Sequence, residues 1–388
     1  MAYRVLFWGL IFVCLYAYFG YPILLLFMSI FRRRPVKKDD GFLPTVTFIV
    51  AAYNEEDVIK AKLDNLNSQN YEKQKIEIVI ASDGSSDSTE QIVARFAEED
   101  GRVKLLALPR LGKANALNQA AEAARGNILI FTDANAMLDP DAARHLVGNF
   151  LDSIVGGVAG NQRYVRSDKT GGASLGEVLY WRYDRWLKKL ETKVGNAISA
   201  DGALYAIRRK LFVPITEAAG TDDFSISTRV VTQGYRLVYE PEAIAIEPTT
   251  GSSTREFRRK ARIINRGLRS LFGLGRFLFP WHGGFYSVQL ISHKLLRRLV
   301  PLALPVIFFV NIVLLPDHIL YQAIFAGQMV VYGFGLIGFV LRNKSWGKNR
   351  MFYIPYYFCQ ANAAGLLGLF WFIKGQRIAV WQPQREEA

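Results

Sequence analysis

The chain has long apolar runs near both ends and, between them, a region in which short apolar runs are each followed by polar residues. The first run, residues 5–31, carries no charge and is long enough for a helix that crosses a bilayer. It lacks a small-residue cleavage site, and residues 32–38 contain five basic side chains. We therefore expect a retained transmembrane helix rather than a signal peptide, with the following residues in the cytoplasm.

Three further apolar runs occupy residues 299–316, 319–341 and 351–373. The first two are predicted spans, because a tight Asp317-His318 turn separates them and a basic segment, 342–350, follows. The third contains two polar amides, so it either spans the bilayer or lies at its surface, and charge does not place the C-terminus. These runs predict a multi-pass protein of the plasma (inner) membrane.

The central region alternates between strand patterns and helix patterns. Buried strands are predicted at residues 45–50, 76–81, 103–108 and 128–131, and patterns typical of helices follow the first three of them. This alternation predicts right-handed crossovers and an α/β fold with a mostly parallel sheet. The polar residues that follow the strands should then meet at the carboxyl edge of the sheet, where open α/β sheets bind their ligands.

Asp133 and Asn135 directly follow the fourth predicted strand and place two side-chain oxygens close together. Such a pair can share a hard cation that also bridges diphosphate oxygens. Asn54 and Asp83 follow two other strands, so a nucleotide site is predicted at this edge. The glycine fingerprint of dinucleotide folds and the Gly-Lys-Ser/Thr phosphate loop are both missing from the sequence.

Composition narrows the classes of function. The formal net charge is +14, but the basic clusters lie beside apolar segments and no nucleic-acid motif accompanies them, so membrane lipid rather than nucleic acid is the expected partner. The two cysteines, Cys14 and Cys359, lie inside apolar runs, which excludes a disulfide framework and a zinc site.

In this order, Ala52-Tyr53-Asn54-Glu55, Asp83-Gly84-Ser85, Gly112-Lys113 and Thr132-Asp133-Ala134-Asn135 resemble the motifs of family-2 glycosyltransferases with a GT-A fold. The resemblance is greatest to the membrane-embedded branch related to cellulose, chitin, hyaluronan and poly-N-acetylglucosamine synthases. It implies that the first two segments hold the uridine and ribose of a UDP-sugar and that Lys113 approaches the nucleotide. It also implies that Asp133 and Asn135 bind Mg²⁺ or Mn²⁺.

The resemblance continues through the second half of the central region. Residues 196–209 resemble the small-residue turn that shapes the acceptor site, which implies that Gly202 and Ala203 contact the acceptor. Thr221-Asp222-Asp223-Phe224 corresponds to the family's Thr-Glu-Asp, so Asp223 is the implied catalytic base and Asp222 the preceding acid. An inverting transfer needs such a carboxylate to accept the proton of the acceptor hydroxyl. A neighbouring carboxylate should raise the pKa of the pair.

Residues 255–269 contain seven basic side chains and one acidic one. Processive relatives carry Gln-x-x-Arg-Trp in this region, whereas this chain has Arg259-Lys260-Ala261-Arg262-Ile263. The retained Arg262 is implied to pair with the leaving diphosphate, as Arg commonly does with phosphate. The replaced Gln and Trp leave processive and single transfer as open alternatives.

Two amphipathic stretches are predicted to lie at the membrane surface. In the first, Arg182, Arg185, Lys188 and Lys189 surround an apolar face, and the second covers residues 292–298. The apolar face of the first stretch comprises Leu175, Val178, Leu179, Tyr183, Trp186, Leu187 and Leu190.

Three parts are therefore predicted. Residues 1–40 form an N-terminal transmembrane helix and basic linker, and residues 41–279 a cytoplasmic GT-A domain. Residues 280–388 form an interface helix and two or three transmembrane helices.

The implied reaction is metal-dependent, inverting transfer from a UDP-sugar to a growing β-linked polysaccharide. The alternatives are transfer of one sugar to a polyprenyl-diphosphate-linked oligosaccharide and a non-catalytic scaffold that binds nucleotide sugars. Three or four spans leave open whether a homo-oligomer or a separate export partner completes a translocation path.

Overall fold

A computed structural model gives the structure of residues 1–165, 175–216, 220–248, 253–342 and 344–376. Within them the chain divides into two units. The sheet unit contains residues 28–165, 184–216 and 220–248, and the helical unit contains residues 1–27, 175–183, 253–342 and 344–376.

The sheet unit contains eight strands in its described part. They are β1 (Val46–Ala52), β2 (Ile76–Asp83), β3 (Val103–Leu108), β4 (Ile128–Phe131), β5 (Met137–Leu138), β6 (Val155–Val165), β7 (Tyr205–Arg208) and β8 (Arg236–Pro248). The order is β3-β2-β1-β4-β7-β6-β8-β5. The first four strands in this order are parallel, as predicted, whereas β7 is antiparallel to β4 and to β6, and β5 is antiparallel to β8. The sheet is therefore mixed: its first half is parallel, and its second half contains antiparallel pairs.

The helices lie in both units. They are α1 (Ala2–Leu15), α2 (Tyr21–Phe31), α3 (Glu56–Asn67), α4 (Thr89–Glu99), α5 (Lys113–Ala123), α6 (Ala142–Gly148), α7 (Leu175–Val194), α8 (Asp222–Thr232), α9 (Ser253–Gly273), α10 (Pro280–Gly283), α11 (Phe285–Gln289), α12 (Arg297–Leu314), α13 (Ile319–Leu341) and α14 (Arg350–Ile373). Two π-helical segments, Tyr16–Gly20 and Leu290–Leu296, join α1 to α2 and α11 to α12.

Helices cover both faces of the sheet. Alternate residues of β1 point to opposite sides, so that Phe48 packs with α3 and α6 while Ile49 packs with α5 and α8. Every residue of β1 is buried. A strand covered on both faces is continuously apolar rather than alternating, which is why its sequence predicts a buried parallel strand.

Among the described residues, three helices are long and apolar enough to cross a membrane: Ala2–Phe31, Phe285–Leu314 and Ile319–Leu341. The second begins earlier than the predicted residue 299, and the predicted surface helix at 292–298 belongs to it. The helix continues through this stretch because the π-helical segment keeps the backbone hydrogen-bonded between α11 and α12. The predicted run at residues 351–373 forms α14. This helix is not among the three that are long and apolar enough to cross a membrane.

Contacts inside the helical unit bring α1 against the hairpin of α12 and α13. Arg4 Nε lies 3.0 Å from a carboxylate oxygen of Asp317, and Trp8 Nε1 donates to the Tyr321 hydroxyl at 3.2 Å. The N-terminal end of α1 and the turn between α12 and α13 are therefore at the same end of this bundle.

Candidate active site

The parallel strands bring the predicted polar clusters to one edge of the sheet. β1 and β2 are paired in register up to Ala52 and Ser82, and β4 is paired with β1 up to Phe131. The residues that follow these strands, including Tyr53 and Asp133, therefore leave the sheet on the same side. Ala52, which is predicted to contact the nucleotide sugar, is fully buried and offers no exposed surface to a ligand.

Asp83 is a buried carboxylate held by the turn that precedes α5. Its Oδ1 accepts hydrogen bonds from the amides of Leu111 and Gly112 at 2.9 and 2.8 Å. Its Oδ2 is buried and accepts no hydrogen bond from the described residues, with Arg110 Nη1 3.6 Å away. A buried acceptor without a donor is costly, so this oxygen is suited to a ligand N–H.

Tyr53 offers a flat surface beside this carboxylate. The guanidinium carbon of Arg110 lies 3.0 Å from the centre of the Tyr53 ring. A planar cation stacked on an aromatic face is a favourable contact, and the same face can stack a planar base.

Asn54 and Glu55 join the loop after β1 to the loop after β2. Asn54 has a positive φ of 51°, donates from its amide N–H to Ser85 Oγ at 3.1 Å, and accepts at Oδ1 from the Ser86 amide at 2.8 Å. Glu55 is buried and donates its backbone N–H to Thr89 Oγ1 at 2.7 Å. Both residues, predicted to contact the nucleotide, thus also fix the loops that shape its expected site.

Lys113 lies among three carboxylates. Its Nζ is 2.6 Å from Asp133 Oδ1. Burial disfavours the charged form of Lys113, but Asp133, Asp222 and Asp223 outweigh it and raise the pKa of the amine above its ordinary value. The lysine expected to approach the nucleotide therefore contacts the carboxylate expected to bind the cation.

Asp223 lies in the first turn of α8. Its Oδ1 accepts from the Phe224 amide at 2.8 Å. Burial, followed by Asp201 and Asp222, raises the pKa of Asp223 to about 6, while the Phe224 amide and Lys113 act in the opposite direction. The predicted upward direction is confirmed for this residue, but burial and Asp201 contribute more than the adjacent acid.

The prediction for Lys188 is wrong. Lys188 is predicted to be one of the basic residues that surround the apolar face of the first amphipathic stretch, at the membrane surface, but it is only 1% exposed. Its Nζ lies 2.5 Å from Asp201 Oδ2 and 3.3 Å from Asp184 Oδ2. Burial alone would lower the pKa of Lys188, but the two carboxylates raise it. The i,i+4 pair of Asp184 and Lys188 is a sequence signal of such a contact.

The apolar face predicted for this stretch is described only in part. Leu187 and Leu190 are buried, whereas Trp186 is exposed. The side chains of Leu175, Val178 and Leu179 lie outside the described residues.

Gly202 and Ala203, the predicted acceptor residues, lie against Thr132 and Asp133, the start of the segment that is predicted to bind a cation. A Cβ at Gly202 would be 3.0 Å from Asp133 Oδ2, so a side chain here would crowd that carboxylate. The carbonyl of Ala203 accepts from Thr132 Oγ1 at 2.7 Å. Beneath them the ring of Tyr205 stacks on Phe131 with centroids 4.8 Å apart.

The residues present fit a divalent cation that is shared with a bound diphosphate. The carboxylate of Asp133 is 31% exposed and already has an ammonium against one oxygen, while Asn135 is exposed. Among the described residues, no group of three or more His, Cys, Asp or Glu has the arrangement of a metal site. A cation here would therefore take most of its ligands from the diphosphate and from water.

Arg262 lies on α9 in the helical unit, and Asp222 and Asp223 lie in the sheet unit. Burial, together with Arg266 and Arg259, lowers the pKa of Arg262. A site with an excess of positive charge suits an anion, but its pairing with the diphosphate stays a prediction.

Residues 47–213 match the sequence model described as "Glycosyl transferase family 2". A poly-beta-1,6-N-acetyl-D-glucosamine synthase of Staphylococcus aureus is 30% identical over 221 residues, which cover 56% of this chain and 52% of the relative. A beta-monoglucosyldiacylglycerol synthase of Trichormus variabilis is 31% identical over 204 residues, covering 51% of this chain and 43% of the relative. The chain thus spans about half the length of these relatives or less.

A solved structure of a mannosyltransferase from Pyrobaculum calidifontis in complex with GDP-Man and Mn²⁺ superposes with a TM-score of 0.68. It covers 96% of this chain and 99% of the other at 24% identity, which shows a common fold. Residues 47–213 are therefore similar to a family-2 glycosyltransferase domain with a GT-A fold, and the described part of the chain also has three candidate membrane spans.

Proposed function

We propose that the protein is a membrane-embedded, metal-dependent, inverting glycosyltransferase that transfers a hexose or N-acetylhexosamine from a UDP-sugar to a growing β-linked polysaccharide. The observation that carries the proposal is the cluster formed by Lys113, Asp133, Asp222 and Asp223 at the carboxyl edge of the sheet. The poly-beta-1,6-N-acetyl-D-glucosamine synthase among the relatives supports the polysaccharide acceptor.

The donor would bind along the first three strand ends. The Oδ2 of Asp83, which accepts no hydrogen bond from the described residues, is suited to accept one from the N–H of a uracil ring, and the Tyr53 face to stack that ring once Arg110 moves aside. The diphosphate would then lie toward Lys113 and Asp133, because Lys113 begins α5 and Asp133 follows the end of β4 at the same edge. Asp133, with Asn135, would hold Mg²⁺ or Mn²⁺, which neutralises charge on the departing UDP.

Asp223 would act as the general base. A pKa raised to about 6 keeps the carboxylate largely ionised at neutral pH while making it a stronger proton acceptor than an ordinary Asp. The proton of the acceptor hydroxyl would pass to a carboxylate oxygen of Asp223 as the hydroxyl oxygen attacks the anomeric carbon. Lys113 would add positive charge for the leaving diphosphate.

The second candidate is transfer of a single sugar to a lipid-linked acceptor. It is favoured by the sequence Arg259-Lys260-Ala261-Arg262-Ile263, which lacks the Gln and Trp of processive relatives. A beta-monoglucosyldiacylglycerol synthase among the relatives also supports a lipid acceptor.

UDP release by the purified protein in nanodiscs tests the proposal, with Mg²⁺ or Mn²⁺ and a panel of UDP-sugars offered singly. Sustained release with one donor and a long, glycosidase-sensitive product is expected. Release that requires an added lipid-linked acceptor and stops after one sugar would support the second candidate. No release with any donor and acceptor would refute both and favour a non-catalytic scaffold.

A further inference from the structure

A row of polar side chains extends along one face of α3, although this face lies inside the sheet unit. Lys62 has no exposed surface, and Asn65 and Gln69 lie three and seven residues further on. Residues at this spacing share one face of a helix. Since α3 ends at Asn67, Gln69 extends the row just beyond the helix. A buried amine is costly unless it is hydrogen-bonded, so the contacts of this row are informative.

All three side chains hydrogen-bond to a single segment, residues 132–143. Lys62 Nζ donates to Thr132 Oγ1 at 2.8 Å and to the carbonyl of Ala136. Asn65 forms two hydrogen bonds with the backbone of Leu138, one to its N–H and one to its carbonyl, both 2.8 Å long.

Gln69 continues the series along the same segment. Its Nε2 donates to the carbonyl of Asp139 at 3.0 Å, and its Oε1 accepts from the amide of Ala143 at 3.2 Å. The backbone amide of Asn70 adds a bond to the carbonyl of Pro140 at 2.9 Å. Side chains of α3, and of Gln69 just beyond it, therefore hydrogen-bond backbone groups of residues 132–143, a segment that is mostly irregular.

The two acceptors of Lys62 flank Asp133-Ala134-Asn135. Thr132 Oγ1 in turn donates to the carbonyl of Ala203, next to the Gly202 backbone that lies against Asp133. One amine thus connects the end of β4, the following turn and the predicted acceptor turn. Burial lowers the pKa of Lys62 to about 7, although Asp133 and Glu247 favour its charged form.

We propose that Lys62, Asn65 and Gln69 form a positioning element that fixes residues 132–136, so that Asp133 and Asn135 present their oxygens to a cation and diphosphate in one geometry. An apolar residue at position 62 would pack without the cost of a buried amine, but it would leave Thr132 and Ala136 without this partner. The expected effect on cation binding and catalysis rests on the proposed function. The expected effect on the structural order of residues 132–136 does not.

Amide hydrogen exchange on the full-length protein in nanodiscs tests the loop directly. Lys62→Met is expected to increase exchange within residues 132–143 about ten-fold, which corresponds to 1.4 kcal/mol, while β1 keeps its protection. The matched control is Lys60→Met, because Lys60 lies on the same helix but is 69% exposed and pairs with Asp64. Unchanged exchange in 132–143, or an equal increase in β1, would overturn the proposal.

A second readout is Mn²⁺ binding in the presence of UDP, followed by electron paramagnetic resonance. Lys62→Met should weaken Mn²⁺ binding about ten-fold while UDP binding without metal stays unchanged. A merely structural role would weaken both. Equal Mn²⁺ affinity in Lys62→Met and Lys60→Met would overturn the proposal even if the protein transfers no sugar, so this failure is distinct from that of the proposed function.

Asn65→Leu keeps the proposal testable if Lys62→Met does not fold. It removes both bonds to Leu138 while leaving the amine in place. Faster exchange confined to 132–143 and weaker Mn²⁺ binding are again expected. Wild-type values in both measurements would contradict the proposed role.

Discussion

Replacing Asp223 by Asn should abolish transfer and at the same time stabilise the fold. The structure raises the pKa of Asp223 to about 6 from the ordinary 3.8, first through burial and then through Asp201. At 1.36 kcal/mol for each pH unit, the ionised carboxylate costs the folded state at most about 3 kcal/mol at neutral pH. Because its pKa is raised on folding, this cost is absent below pH 3.8 and grows as the pH rises to about 6.

The loss of activity should be much larger than a change in stability explains. Asn cannot accept the proton of the acceptor hydroxyl, and a positioned base accounts for a factor of about 100 to 10,000 in rate. We therefore expect kcat to fall at least about 100-fold while the thermal midpoint rises clearly at pH 7.5 and changes little at pH 4. Asp64→Asn is the control, since this carboxylate is 53% exposed on α3.

The pH profile of the unaltered enzyme provides an independent measurement. kcat/KM should fall as the pH drops through about 6, because protonated Asp223 cannot act as a base. Asp201→Asn should move this acid limb to lower pH, since Asp201 is the largest charge contribution to the raised pKa and Asn can still accept from Lys188. A flat profile from pH 5 to 7.5, or an Asp223→Asn variant within ten-fold of wild type, would refute the assignment of the base.

Three further substitutions probe the surroundings of the site. Lys113→Met should move the acid limb of kcat/KM to higher pH, because Lys113 lowers the pKa of Asp223; an unmoved limb would contradict the cluster. Gly202→Ala should reduce kcat about ten-fold, as its Cβ crowds Asp133, with the thermal midpoint nearly constant. Arg236→Met should destabilise the fold by about 3 kcal/mol in thermal denaturation, because this buried guanidinium donates to the carbonyl of Arg34 and to two carbonyls at the end of α7. A wild-type midpoint would contradict this.

The sequence was sufficient for the half of the sheet formed by β1 to β4, in which β1, β2 and β4 are almost entirely buried and the edge strand β3 is partly exposed. β3 and β4 have the predicted bounds, and β1 and β2 differ from them by one or two residues. The second half was not predicted, because β6 and β8 include polar residues and β5 has only two residues. Its mixed directions depend on pairing with distant parts of the chain, which local periodicity does not encode.

Within the candidate site, sequence patterns identified the residues at strand ends but missed the charges that support them. Lys62 and Lys188 occur in amphipathic helices, where a lysine is usually solvated, yet both are buried. The partner of Lys62, Thr132, is 70 residues away, and Asp201 is 13 residues from Lys188. Such contacts exist only after the chain has folded, so they could not be predicted from spacing.

The charge balance of the site explains why a cation belongs in the proposed reaction. Asp133, Asp222 and Asp223 lie near one amine, Lys113, and their negative charges raise its pKa despite its burial. A diphosphate brought into this cluster adds further negative charge, and Lys113 can serve either the phosphate or Asp133, but not both at full strength. A divalent ion held by Asp133 would relieve this conflict, because it would supply the positive charge that the carboxylate and the diphosphate otherwise take from Lys113.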